Sequence, residues 1–137
     1  MKVKDLDLKD YNLKLTGFTV KAEDVRPRSS LHLKARHLLT EAFPTCQVLE
    51  EVAVKLKHSS RTRFLDFFIP KFNMVIEVHG EQHYKFNTKF HTSAQDFINQ
   101  KKRDKDLIEW CEINNFTYIE LPYSEDIKKW KTRIQSS

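Results

Sequence analysis

The chain has 137 residues, enough for one compact α/β domain and short for two. Hydrophobic residues make up 39% and aromatics 12%, which excludes general disorder, and no apolar run approaches the roughly 20 residues a membrane-spanning helix needs. Lys plus Arg number 24 against 19 acids, a net charge of +5 that favours polyanionic partners, while the two distant cysteines, Cys46 and Cys111, exclude a disulfide framework or zinc knuckle and suit buried thiols in a reducing compartment.

Residues 1–28 mix Lys2, Lys4, Lys9, Lys14, Arg26 and Arg28 with Asp5, Asp7, Asp10 and Glu23 and close on Pro27. They read as an extended arm or short strands, set off from a single domain over 29–137. The opening MKVKDLDLKDYNLKL lacks the apolar centre of a signal peptide, so a soluble, cytoplasmic protein is expected. Ser29 or Ser30 then caps a segment in which Leu31, Ala35, Leu38, Leu39 and Ala42 recur at helical spacing, with Pro44 just past its end. QVLEEVAVKL (47–56), RFLDFFIP (63–70) and FNMVIEVHG (72–80) follow as three β-prone runs separated by short polar or Pro-containing breaks, the pattern of an antiparallel meander. Ser93 and Asp96 have capping-box spacing at the start of a second helix that runs to about Asn114, and FTYIEL (116–121) is a fourth strand. A short helix carrying Ile127, Trp130 and Ile134 ends the series. The predicted order is αβββαβα, a mixed central sheet flanked by helices.

The chemistry concentrates in LDFFIPKFNMVIEVHGEQHY (65–84), where acids and histidines interrupt strands that otherwise read as buried. Asp66 sits among Leu65, Phe67 and Phe68, and Glu77 between Ile76 and Val78; an isolated buried carboxylate costs several kcal/mol and must be paired, protonated or bound to metal. Two such acids on neighbouring strands point to a cation, and hard oxygen ligands suit Mg²⁺, with Mn²⁺ as substitute. The plain alternative is a structural salt bridge from Asp66 to Arg61 or Arg63. Glu77 and His79 share a strand face, and Gly80 offers a tight turn before His83. A histidine beside a metal-bound water serves as general base at neutral pH. His83 is the first choice, leaving His79 to bind metal or contact the scissile phosphate. On the second helix Phe97, Asp104, Ile108 and Cys111 fall on one face, so Asp104 turns inward, within reach of His83 or a metal-bound water.

LDFFIP and IEVHGEQHY resemble the very-short-patch-repair-type branch of the PD-(D/E)XK nuclease superfamily. FHTSAQDFINQKKRDKDLIEWCEINNFTYIELPY (90–123) is similar to the second half of small phage-type homing endonucleases of that branch, which carry an E-D-x-H-D signature. The resemblance covers residues 29–134 and implies a PD-(D/E)XK-type fold and Mg²⁺-dependent hydrolysis of phosphodiesters in double-stranded DNA, by a monomer or homodimer, in a phage setting. It implies a metal-binding role for Asp66, a carbonyl ligand from Val78, a catalytic role for His79, the final acid in Asp104 and a further histidine in His83. The pattern departs in three ways: His79 replaces the superfamily lysine, so Glu77 stands either as ligand or behind the ligands; the first acid falls to Glu41, with Glu50 and Glu51 as alternatives; and the cysteines of structural zinc sites are missing. Rival readings are a mismatch- or junction-directed nickase and a catalytically silent DNA-binding module.

DNA contacts are expected from Lys55, Lys57, Arg61 and Arg63 in KLKHSSRTR (55–63), a basic turn free of acids, and from Arg26 and Arg28. In YKFNTKFHT (84–92), Lys85, Lys89 and His91 interleave with Tyr84, Phe86 and Phe90, which either wedge against bases or pack over the site as a lid.

Overall fold

A computed structural model describes residues 1–21, 28–56 and 62–137. It is a mixed α/β structure in which a five-stranded sheet lies between helices. The elements run β1 (Lys2–Lys4), β2 (Asp10–Asn12), β3 (Phe18–Thr19), α1 (Ser30–Ala42), β4 (Leu49–Val54), β5 (Arg63–Ile69), β6 (Met74–His79), α2 (Ala94–Ile113), β7 (Thr117–Pro122) and α3 (Ile127–Gln135). From α1 onward this is the expected αβββαβα order. Sheet order is β3-β4-β5-β6-β7, antiparallel except for the parallel β6/β7 pair, whose direction needs the long crossover that α2 supplies.

Capping sets the helix starts. Ser29 accepts from the His32 amide at 3.2 Å, Ser93 from Asp96 at 3.3 Å and Asp126 from Lys129 at 3.0 Å. Ala35, Leu38 and Leu39 of α1 join Trp130 and Ile134 of α3 over Phe67, Ile69 and Ile76. Ala42, expected in the same stripe, is exposed at the last position of α1. The opposite face carries α2 through Leu107, Trp110 and Cys111 over Val52, Leu65, Phe68 and Val75. Asp104 is buried on that face as expected, but Leu107 fills the core and Ile108 is only half-buried, so the inward stripe is rotated one residue from the predicted one.

Residues 1–21 form no detached arm. Strands β1 and β2 pair antiparallel, and Val3 and Leu13 are buried beside Leu107 and Trp110. Asn114, at the end of α2, clamps the Lys4 backbone in both directions, accepting from its amide at 2.7 Å and donating to its carbonyl at 2.9 Å. Among the described residues no helix is long and apolar enough to cross a membrane.

Two irregularities shape the sheet around Asp66. Leu49, Val52 and Val54 all face α2, which strict strand alternation forbids. The facing is reset at Glu51, whose φ is +59, and Gly17 (φ +92) nestles against it so closely that a Cβ there would lie 2.1 Å from the Glu50 carbonyl oxygen. Opposite, β5 makes the same switch at Asp66, with Leu65 and Phe68 facing α2 and Phe67 facing α1. Pairing of β5 with β6 then stops at Phe67 and Ile76, although both strands continue.

Candidate active site

Where the β5/β6 ladder ends, carboxylates take over the main-chain hydrogen bonds. The Asp66 amide donates to Glu77 Oε2 at 2.7 Å, and the Val78 amide donates to Asp66 Oδ2 at 2.8 Å. The two acids are therefore locked crosswise at the point where the strands part. They differ in their charge partners. Glu77, 2% exposed, receives Arg63 Nη2 on Oε1 at 2.7 Å, whereas no Lys or Arg among the described residues forms an ion pair with Asp66. Burial first, and then the Glu77 carboxylate, push the Asp66 carboxyl well above the usual carboxylate range.

At the end of β6 and in the turn after it stand two histidines. A single 3-10 turn, Glu81–His83, folds the chain back so that the His83 ring stacks on His79 with centroids 3.9 Å apart and planes 8° from parallel. Gly80 does not bring this about through unusual backbone freedom: its φ of −73° is open to any residue, and a Cβ there would meet only the flexible Gln82 side chain. Each imidazole presents Nδ1 to its own carboxylate. His83 Nδ1 lies 2.8 Å from Asp104 Oδ2, and His79 Nδ1 lies 3.2 Å from Glu120 Oε1. An ionised carboxylate only accepts, so each Nδ1 carries a proton and each Nε2 is the ring nitrogen turned away from its carboxylate. Burial raises Asp104, but the hydrogen bond and charge of His83 outweigh it and hold the carboxyl below its ordinary value. Hydrogen bonds from His79 and then Tyr84, whose hydroxyl donates at 2.6 Å, hold Glu120 down at about 2 against burial.

His79, His83 and Asp104 can each offer a ligand atom within 4.8 Å of the others. A cation must lie near the plane of each imidazole that binds it, about 2.0–2.1 Å from the nitrogen. Two parallel rings stacked at 3.9 Å meet that condition for no single ion. The cluster as folded is a pair of oriented imidazoles rather than a two-histidine chelate. His79, 2% exposed, is also shielded by His83 and by the Tyr118 hydroxyl 3.5 Å from its Nε2.

Of the residues singled out from sequence, Asp66, Glu77, Val78, His79, His83 and Asp104 come together. Val78 contributes its amide to Asp66. Glu41 is remote from them: it is exposed near the end of α1 and pairs with His37 at 3.1 Å. Glu50, the alternative acid, is fully buried on the α1 side of the sheet, where His32 and Arg36 bind it at 2.7 and 2.9 Å. Glu51 pairs instead with Arg28 at 2.9 Å. Arg63, expected at a DNA-facing turn, points inward, because Glu77 and Asp104 (3.1 Å from Nη1) offer it two carboxylates. Lys55, Lys85 and Lys89 are exposed, while Arg26, Lys57 and Arg61 lie outside the described residues. Phe86 and Phe90 are also exposed rather than folded over the site, on a loop pinned by buried His91, which accepts from the Asn87 amide and meets Gln100. Sequence reading missed Glu120. In FTYIEL it is an ordinary alternating polar residue, and only the parallel register opposite Glu77 brings it to His79.

No family model matches the chain. It is 42% identical over 60 residues to Uncharacterized protein 307L of Invertebrate iridescent virus 6, an overlap of 44% of this chain and 30% of that protein. It is 37% identical over 60 residues to Uncharacterized protein 033L of Invertebrate iridescent virus 3, covering 44% and 31%. The chain thus matches about a third of the length of these viral relatives. No solved structure matches it.

Proposed function

We propose that the chain is a divalent-metal-dependent endonuclease that hydrolyses phosphodiesters in double-stranded DNA, on a fold of the PD-(D/E)XK type. The observation that carries this reading is a histidine oriented by a buried acid, His83 on Asp104 at 2.8 Å, in a cluster that runs through Arg63 and Glu77 to Asp66, whose buried carboxyl makes no direct ion pair with a Lys or Arg among the described residues. Burial that the surrounding charges do not fully offset is unfavourable to folding and is retained where a ligand supplies further positive charge. Asp66 would hold the ion through oxygen, a donor suited to Mg²⁺ or Mn²⁺. When bound, such an ion acidifies a water and offsets the charge that develops on phosphorus. His83 Nε2 accepts the proton from the attacking water, and Asp104 keeps the imidazole in the tautomer that allows it. Glu120 and the His79 ring hold His83 in place from behind. A viral or phage setting and homing-type cleavage belong to this proposal.

A specific observation favours the silent DNA-binding module as a second reading: Arg63 already neutralises Glu77, so part of the acidic site is satisfied without metal. A supercoiled plasmid incubated with and without Mg²⁺ separates the two. Cleavage that requires the ion and falls by about 10² to 10⁴ in His83→Ala, with DNA retention in a gel shift unchanged, supports the nuclease. Tight DNA binding with no cleavage under either Mg²⁺ or Mn²⁺ supports the module.

A further inference from the structure

Arg63 occupies the centre of the acidic cluster. Its side chain is 18% exposed, with Nη2 2.7 Å from Glu77 Oε1 and Nη1 3.1 Å from Asp104 Oδ1. Both Glu77 oxygens are already engaged, since Oε2 accepts from the Asp66 amide. For Glu77 to bind a cation, the guanidinium would have to surrender one of its two buried partners while remaining charged. Burial opposes that charge, but Glu77 and then Asp104 outweigh it and raise the Arg63 pKa further. A planar fork bridging two carboxylates fills the space and supplies the charge that a second ion would bring.

We propose that Arg63 is the resident counter-ion of the site: it withholds Glu77 and Asp104 from metal, so that the site takes one divalent cation, at Asp66, where an unblocked pair of acids would take two. The inference rests on the metal-dependent reading and adds the number of ions and the residue that sets it. Asp104 is thereby reserved for His83, and Arg63 acts as a positioning residue for both acids.

The test is a Mn²⁺ titration of the full chain without DNA, following free Mn²⁺ by electron paramagnetic resonance, with circular dichroism to confirm folding. Wild type binds one ion, and Asp66→Asn abolishes that binding. Glu77→Gln, which keeps the acceptor for the Asp66 amide, still binds one ion with Kd within about threefold of wild type, a change under 1 kcal/mol. Arg63→Gln gains a second ion or binds the first at least about tenfold more tightly, and Arg63→Lys stays at one. Two ions in wild type, or loss of binding in Glu77→Gln, overturn the inference while leaving a metal-dependent nuclease intact. Unchanged stoichiometry and Kd in a folded Arg63→Gln do the same. No Mn²⁺ bound to wild type overturns both. Should Arg63→Gln fail to fold, the Glu77→Gln result decides alone.

Discussion

Asp66 and Glu77 are adjacent acids with different circumstances, and one guanidinium makes a direct ion pair with only one of them. Glu77 is paired and fixed, whereas Asp66 is held in a buried place that raises its pKa above that of an unfolded chain. The sign follows directly. A raised folded pKa means the native state keeps the proton more tightly, so this group's favourable contribution is present at low pH and is lost as pH rises through the folded value. Asp66→Asn removes the ionisation while keeping an acceptor for the Val78 amide. In metal-free protein at neutral pH it is expected to raise stability by about 1–2 kcal/mol, read as a higher urea midpoint, while abolishing cleavage. A variant both less stable and still active would show Asp66 to be an ordinary structural acid.

At the scale of elements, two buried features tie the sheet to its neighbours. Glu50 of β4 binds His32 and Arg36 of α1 with no exposure to solvent. Burial pushes this carboxyl up, but hydrogen bonds from His32 and Arg36 prevail and bring it from 4.5 to about 2. Here the folded pKa is depressed, so the stabilisation, on the order of 3 kcal/mol, is complete above pH 4.5 and is lost as pH falls toward 2. Melting temperature measured down the pH scale should fall through this window, and Glu50→Gln should flatten the fall. The second feature is the reset of β4 at Glu51. Gly17→Ala brings a Cβ to 2.1 Å from the Glu50 carbonyl oxygen at a φ of +92, and a loss of at least about 1–3 kcal/mol is expected in denaturant unfolding. Activity should fall with it, because β4 and β5 change facing together beside Asp66.

For the whole molecule, the proposed DNA binding is tested through exposed charge. Lys55, Lys85 and Lys89 are exposed, and Phe86 and Phe90 share the loop that follows His83. If the lysines meet phosphates, the triple Ala variant should lower DNA affinity evenly across sequences and reduce the slope of log K against log salt by about one for every phosphate no longer neutralised. An unchanged slope would remove them from the interface. Under the proposed nuclease reading, one site in each chain is expected to give a nick first, with linear plasmid appearing only after the relaxed circle.

Legibility in the sequence follows the range of the interactions. Helix starts at Ser29 or Ser30 and at Ser93, the three-strand meander, the inward turn of Asp104 and the cluster at 65–84 are all readable, because capping, alternation and helical spacing depend on neighbours a few residues away. The exposure of Ala42 and the one-residue rotation of α2 are not, since they depend on how the helices meet the sheet. Nor are the partners of the acids. Arg63 reads as one more cation of a basic turn, yet it begins β5, and the strand carries it inward to Glu77 on β6 and Asp104 on α2. Glu120 reaches His79 through a parallel pairing that no local pattern announces. Glu41 reads as the helix-borne acid of the site, and only the packing of α1 on the sheet leaves it exposed beside His37. The order of amino acids is enough to mark the acids and histidines of apolar strands as groups that folding must pair, protonate or coordinate, because an isolated buried charge is costly. Which of those groups are already neutralised emerges only on folding, because ion pairs between strands and helices depend on distance in space rather than along the chain.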